Sequence, residues 1–446
     1  MLVDPEVSPC AGSLAESADT DVAGTLAEEP ANGRLQFDVS SSCDSVWQDP
    51  AMRHMCAHPE YLAVFARTQN FIMRGDGPLP FDIRHYIAIM AAELHQCQAL
   101  MEQLQDEFLA SGGEPRWLEG LHLAPKKLQD LSEVNKTLAH RPWLLSKAHI
   151  ERLVRGRDNW SLGELLQALT ILAHYHAASS FVHGCRVVTE PCADAAAGKK
   201  SGSSTPGSGV AKENGKISSS PPRGVPVDEL MHKIKSLRQQ AGPTGSAPAD
   251  SERPTGHERV DGEPAPTEVG AGRRLADTDD SHVGGDSDWE EPLRRTDGGA
   301  TFRVQDYNWE DHGFSLVNRL YSDVGYLLDD KFRKAYHLTY QTMGSFRAVD
   351  TRPFRRAIWR YIQCLYGIRH DDYDYKMVSE LLDRRLKELI KTTCVSPELL
   401  DSTTPLSRVM AGFQRSEKIH VVILCLEARL QSELLYALRA VMRYTT

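Results

Sequence analysis

Cys97 is the residue of this sequence most suited to act as a reagent. It ends the run Arg84-His85-Tyr86-Ile87-Ala88-Ile89-Met90-Ala91-Ala92-Glu93-Leu94-His95-Gln96-Cys97, with His85 and His95 close by in sequence. A thiol attacks as its thiolate, and the unpaired amides of a helix start favour that form. Leu100, Leu104 and Phe108, four apart, predict a helix over residues 95–109 with Cys97 in its first turn. The plainer reading is a small buried side chain, because free cysteine is among the most buried residue types. His174, His176, His183, Cys185 and Cys192 match no zinc spacing, so neither a metal nor a cofactor is expected. Asp371, Asp372 and Asp374 sit with Tyr373 and Tyr375 but lack the glycine turn and distal glutamate of a calcium loop, which leaves a solvated acidic-aromatic loop.

The elements that must position these residues are helical throughout, and the fold class expected is all-α. Ile83, Ile87, Met90, Ala91 and Leu94 fall on one helical face, after a short helix over 54–68. Ser161, with Glu164 three residues on, has the spacing of a capping box and opens an amphipathic helix through Leu165, Leu166, Leu169, Leu172 and Ala173. Further on, helices are expected over 314–328, 331–342, about 353–366, 377–390 and 416–444. The last carries Ile419, Val422, Ile423, Leu426, Leu430, Leu434, Leu438 and Val441 on one stripe, and no strand pattern competes anywhere. Residues 1–44 read as a disordered tail. Residues 189–300, rich in Gly, Ser, Pro, Lys and Asp, read as a disordered linker between helical subdomains at 45–188 and 301–446. One island in that linker, 227–237, has Leu230, Ile234 and Leu237 at helical spacing and is expected to fold transiently or on a partner.

Composition narrows the function classes. The formal charge of -10 is spread along the 446 residues, so there is no basic footprint for nucleic acid. Nine cysteines at irregular spacing suit a reducing compartment. The start Met1-Leu2-Val3-Asp4-Pro5-Glu6 carries no signal-peptide pattern, and the apolar run from Val421 to Leu426 is cut short by Glu427 and Arg429, far below a membrane span. The expected setting is cytoplasmic or nuclear-cytoplasmic, with no membrane insertion.

Several stretches are specific enough to name a relative. His85-Tyr86-Ile87-Ala88-Ile89-Met90-Ala91-Ala92, His95-Gln96-Cys97, Leu138-Ala139-His140-Arg141-Pro142-Trp143 and Tyr307-Asn308-Trp309-Glu310-Asp311-His312-Gly313 together resemble the sestrin family. So do Arg355-Arg356-Ala357-Ile358-Trp359, Gly367-Ile368-Arg369-His370-Asp371-Asp372-Tyr373-Asp374-Tyr375 and Leu434-Leu435-Tyr436-Ala437-Leu438-Arg439-Ala440. The likeness covers about 55–185 and 301–446. It implies two helical halves, each similar to the alkylhydroperoxidase AhpD, and two activities. One is reduction of alkyl hydroperoxides by an N-terminal cysteine. The other is binding to the GATOR complex, which restrains TOR complex signalling and is relieved when leucine fills a C-terminal pocket.

The resemblance treats the two sites differently. The family's proton relay, a tyrosine two residues after the cysteine and a histidine seven after it, is replaced here by Ala99 and Leu104, which accept no proton. His95 and His85 are the only substitutes nearby in sequence, so peroxidase activity through Cys97 is expected to be weak. An amino-acid pocket needs a cation for the carboxylate, an anion for the ammonium and an apolar wall. By resemblance Arg355 and Glu417 are the charged ligands, and Thr339, Thr342 and Thr351 are lid threonines. Phe354 stands where the family has leucine and Met410 where it has tryptophan, a change worth ~1–3 kcal/mol in affinity or side-chain preference. Asp371, Asp372 and Ser161 match the surface through which sestrins bind the GATOR complex.

Overall fold

The structure, a computed structural model, describes residues 49–155, 159–189, 227–240, 302–400 and 409–446. The expectations for 1–44 and for most of 189–300 lie outside the described residues. Asp49 caps the first described helix, α1 (Pro50–Met55), its carboxylate accepting from the amides of Ala51 and Met52 at 2.8 and 3.0 Å. Pro59 then starts α2 (Pro59–Arg74), so the one short helix expected over 54–68 is two. α3 (Phe81–Leu94) is buried along almost its whole length, and Gln96 in the left-handed region (φ 48°) turns the chain into α4 (Gln98–Ala110). α5 (Lys126–His140) and α6 (Lys147–Val154) follow. α7 (Leu162–Thr189) opens on the expected capping box: the Ser161 amide donates to Glu164 Oε2 at 2.8 Å and the Glu164 amide to Ser161 Oγ at 3.2 Å.

The island is the helix α8 (Val227–Gln240), with Val227, Leu230, Met231 and Ile234 buried. The helix was expected to form transiently or on a partner, and its i, i+3, i+4, i+7 stripe packs against the C-terminal half of the same chain. A π-helical turn at Trp309–Gly313 leads into α9 (Phe314–Leu320) and α10 (Val324–His337). Asp323 at φ 68° separates those two helices, which 314–328 and 331–342 had merged differently. α11 (Arg352–Leu365), α12 (Lys376–Leu381), α13 (Arg384–Val395) and α14 (Arg415–Thr445) complete the helices. The helix expected over 377–390 is two, because Asp383 caps α13 through the Leu386 amide at 2.8 Å.

Strands do occur, although none was expected. β1 (Phe302–Arg303) pairs in parallel with β4 (Ile368–Arg369), and β2 (Thr342–Met343) forms a hairpin with β3 (Phe346–Arg347), Thr342 opposite Arg347. Each is two residues long, too short to leave an alternating pattern in the sequence.

α7 and α14 cross at the centre, with α3 against α7, α11 and α13 against α14, and α2 against α10. The described residues lie in one compact unit. Charges are buried where the halves meet. Lys331 of α10 pairs with Glu427 of α14 at 3.2 Å, and the Tyr61 hydroxyl donates to the same carboxylate. Arg429 donates to Glu433 (2.7 Å), Ser180, His95 Nε2 (2.8 Å) and the Ala139 carbonyl (3.3 Å), all without solvent. No helix among the described residues is long and apolar enough to cross a membrane.

Candidate functional site

A cavity of about 440 Å³, its mouth included, lies between α11, the start of α14 and the β2–β3 hairpin. Thr339, Thr342, Thr351, Phe354, Arg355 and Glu417 all line it. Met410 does not: it is buried 2% exposed in the turn before α14, and Gly412 at φ 88° reverses the chain so that Phe413 faces the cavity instead. The apolar wall is thus Phe354 and Phe413, ring centres 6.0 Å apart, with Met343, Val421 and Leu424. His58, Tyr340 and His420 complete the lining, and these three, with Met343, Phe413, Val421 and Leu424, were not foreseen. Only His58 comes from the N-terminal half, so no local pattern announced it.

Proline at the second position of α11 starts the helix and brings Arg355 into its first turn. Its guanidinium is 5% exposed, donates from Nε to Thr351 Oγ1 at 3.1 Å and from Nη1 to the Tyr336 carbonyl, and so has no carboxylate partner in these bonds. Thr351 and Thr339 share a hydroxyl contact of 3.0 Å. Glu417 is the third residue of α14 and closes a capping box with Gln414 (2.8 Å). Its carboxylate also accepts from Thr342 Oγ1 at 3.0 Å and from the Gly344 amide at 2.8 and 3.0 Å, which ties the hairpin to the helix start. The Gln414 side chain donates back to the Gly344 carbonyl at 2.8 Å. Only glycine fits here, because φ is 60° and a Cβ would lie 2.6 Å from the Gly412 carbonyl.

The histidines of the cavity add no charge at neutral pH. Burial pushes His420 down to about 3 and lowers His58 as well. His58 Nε2 donates to the Ser416 carbonyl at 2.8 Å, which leaves Nδ1 to accept from Tyr340 at 3.0 Å. One cation, one anion and an aromatic wall therefore converge. This arrangement suits a zwitterion with an apolar side chain.

Cys97 is arranged for packing. It is the N-cap of α4 rather than a first-turn residue, and it is 1% exposed. Burial dominates over the Leu100 amide, the Ser179 hydroxyl and Arg186, and the thiol is pushed up to about 11. The activation expected from the helix start is outweighed by desolvation. His95 does not supply a base. Its Nε2 accepts from Arg429, and its Nδ1 faces Glu398 at 3.4 Å, so its lone pair is already engaged. His85 is buried and lies 3.6 Å from Glu107. Among the described residues no group of three or more His, Cys, Asp or Glu is placed to hold a metal ion. We expect Cys97 to resist a disulfide reagent such as dithionitrobenzoate in the native protein at pH 8, where about one thiol in a thousand is ionised at a pKa of about 11. Peptide mapping after alkylation checks this, and rapid native labelling of Cys97 would contradict it.

Asp371 and Asp372 follow β4 with 48% and 64% of their side chains exposed. They pair loosely with Arg303 (3.3 Å) and Arg356 (3.4 Å). Ser161 is exposed at the start of α7.

Residues 23–445 match the family described as PA26 p53-induced protein (sestrin). A sestrin homolog of Drosophila melanogaster is 41% identical, over 93% of this chain and 95% of that protein. Sestrin-1 of Xenopus laevis is 43% identical over 94% and 89%, and human sestrin-2 is 43% identical over 88% and 83%.

Proposed function

Because this chain belongs to the sestrin family, we propose that it is a cytoplasmic leucine sensor that binds the GATOR complex and restrains TOR complex signalling when leucine is scarce. The observation that carries the reading is the convergence of buried Arg355 and hairpin-clamped Glu417 on one aromatic-walled cavity. Arg355 takes the ligand carboxylate through its planar fork, Glu417 takes the ammonium, and the threonines close over both. Phe354 and Phe413 set the preference for an unbranched or γ-branched side chain. Asp371, Asp372 and Ser161 offer the exposed surface for the GATOR complex. Hydroperoxide reduction through Cys97 has no comparable support, because burial holds the thiol protonated and the nearby His95 already accepts from Arg429.

Leucine at high micromolar concentration is expected to raise the melting temperature of the wild type and not of Glu417→Ala. In leucine-starved cells, Asp371→Ala/Asp372→Ala is expected to lose co-precipitation of the GATOR complex. The absence of a thermal shift with leucine, isoleucine, methionine or valine would overturn the sensor reading.

A further inference from the structure

We propose that α8 is a strap that holds the β2–β3 hairpin shut over the cavity and so governs how fast a ligand enters and leaves. The proposal rests on reading that cavity as a ligand site. Gly344 is the point at which the parts meet. Its amide holds both oxygens of Glu417, its carbonyl takes the Gln414 side chain, and its Cα faces Val227. A methyl group built on Gly344 would come within 3.1 Å of one Val227 γ carbon, and one built on Gly412 within 3.0 Å of the other. Val227 therefore fills the notch between the hairpin tip and the turn that leads into α14.

The remainder of α8 secures that wedge. Leu230, Met231 and Ile234 continue the buried stripe, and the helix lies along α12. The Lys235 ammonium stands 5.8 Å from the ring centre of Phe346, the first residue of β3. On this reading the hairpin swings away from α14 to widen the mouth of the cavity for a ligand bound for Arg355 and Glu417. The tip cannot do so while Val227 occupies the notch. Lid opening is thereby coupled to release of a helix with no covalent part in the pocket, a local opening of the kind that precedes global unfolding.

The test uses the full chain carrying Val227→Asp/Leu230→Ser. Amide hydrogen exchange in residues 342–347 of the ligand-free protein is expected to rise about tenfold, with the amides of α7 and α14 unchanged. Leucine dissociation, followed by stopped flow, is expected to be several-fold faster. Val227→Ala, which shortens the wedge without adding charge, is expected to raise exchange in the same segment about threefold and guards against general unfolding of the double variant. Wild-type exchange rates in 342–347 for both variants would overturn the strap. If the wild type takes up no leucine while exchange rises as expected, the strap stands and the pocket reading fails.

Discussion

Replacing Arg429 with alanine is expected to cost about 3–5 kcal/mol, the scale for leaving one member of a buried ion pair uncompensated. The guanidinium is fully buried and serves four acceptors: Glu433 of α14, Ser180 of α7, His95 in the turn after α3 and the Ala139 carbonyl at the α5 C-terminus. Alanine leaves a cavity and a buried Glu433 carboxylate without its guanidinium, held by the His176 Nδ1 contact at 2.8 Å. A whole domain commonly has about 5–15 kcal/mol in hand, so the melting temperature should fall by on the order of 10 °C. Arg429→Met/Glu433→Met should recover much of that loss, since apolar residues of similar volume often replace a buried pair at little cost. Urea and thermal melts of both variants check this. A loss below about 1 kcal/mol for the single change would show that the network contributes little to joining the two halves.

Lowering the pH from 7.5 to 5.0 is expected to destabilise the protein by several kcal/mol. His95, His174 and His370 are held neutral, with pKa values pushed below the ordinary imidazole value chiefly by burial. Arg429 adds to this at His95, Lys331 at His174 and Arg360 at His370, which is pushed down to about 2. A lowered folded pKa means that the unfolded chain takes up the proton first. The stability is complete above about pH 6.5 and drains away as the pH falls towards the folded values, ~2 kcal/mol for each such histidine at pH 5. His176 is not counted. Its Nδ1 faces Glu433 and its Nε2 faces Asn135 Oδ1 at 2.8 Å, whose amide nitrogen already donates to the Met90 carbonyl, so two acceptors oppose the effect of burial. Asp49 and Glu427, raised by burial, act in the opposite sense and offset part of the loss, because the fold takes up their protons before the unfolded chain does. Urea midpoints at the two pH values decide the matter. An unchanged midpoint would mean that these imidazoles are charged in the fold.

The helical class and most helix starts were legible because they depend on local chemistry: Ser161 with Glu164, Pro353 at α11 and the stripe of α14. Breaks without Gly or Pro were not, as at Asp323, whose left-handed φ has no sequence mark, and Asp383 was a readable cap that a continuous apolar pattern masked. Six of the pocket's lining residues, Thr339, Thr342, Thr351, Phe354, Arg355 and Glu417, were identified by resemblance. Phe413 in place of Met410 was not, since the reversal at Gly412 decides which of them faces inward. Cys97 shows the same limit in electrostatics. A helix start is visible in sequence, but the packing of the surrounding helices, which sets the thiol's solvation, is a property of the whole fold. The island at 227–237 was legible from its stripe of Leu230, Ile234 and Leu237, whereas the surface it packs on, far away in sequence, was not.

The crossing of α7 and α14 also constrains how the protein is made. α14 packs against α5, α6 and α7, so the core of the first half is completed by a helix whose first residue follows the end of α7 by more than 200 positions. At a synthesis rate of ~5–20 residues per second, the apolar face of α7 waits roughly 10–50 s for its cover. Arg429 and Glu427 arrive in that same late segment, so the buried polar groups of the early half stay unmatched for as long. Nascent chains stalled before α14 should therefore be clients of chaperones, and changes that slow translation between the halves should lower yield without altering the stability of the finished protein.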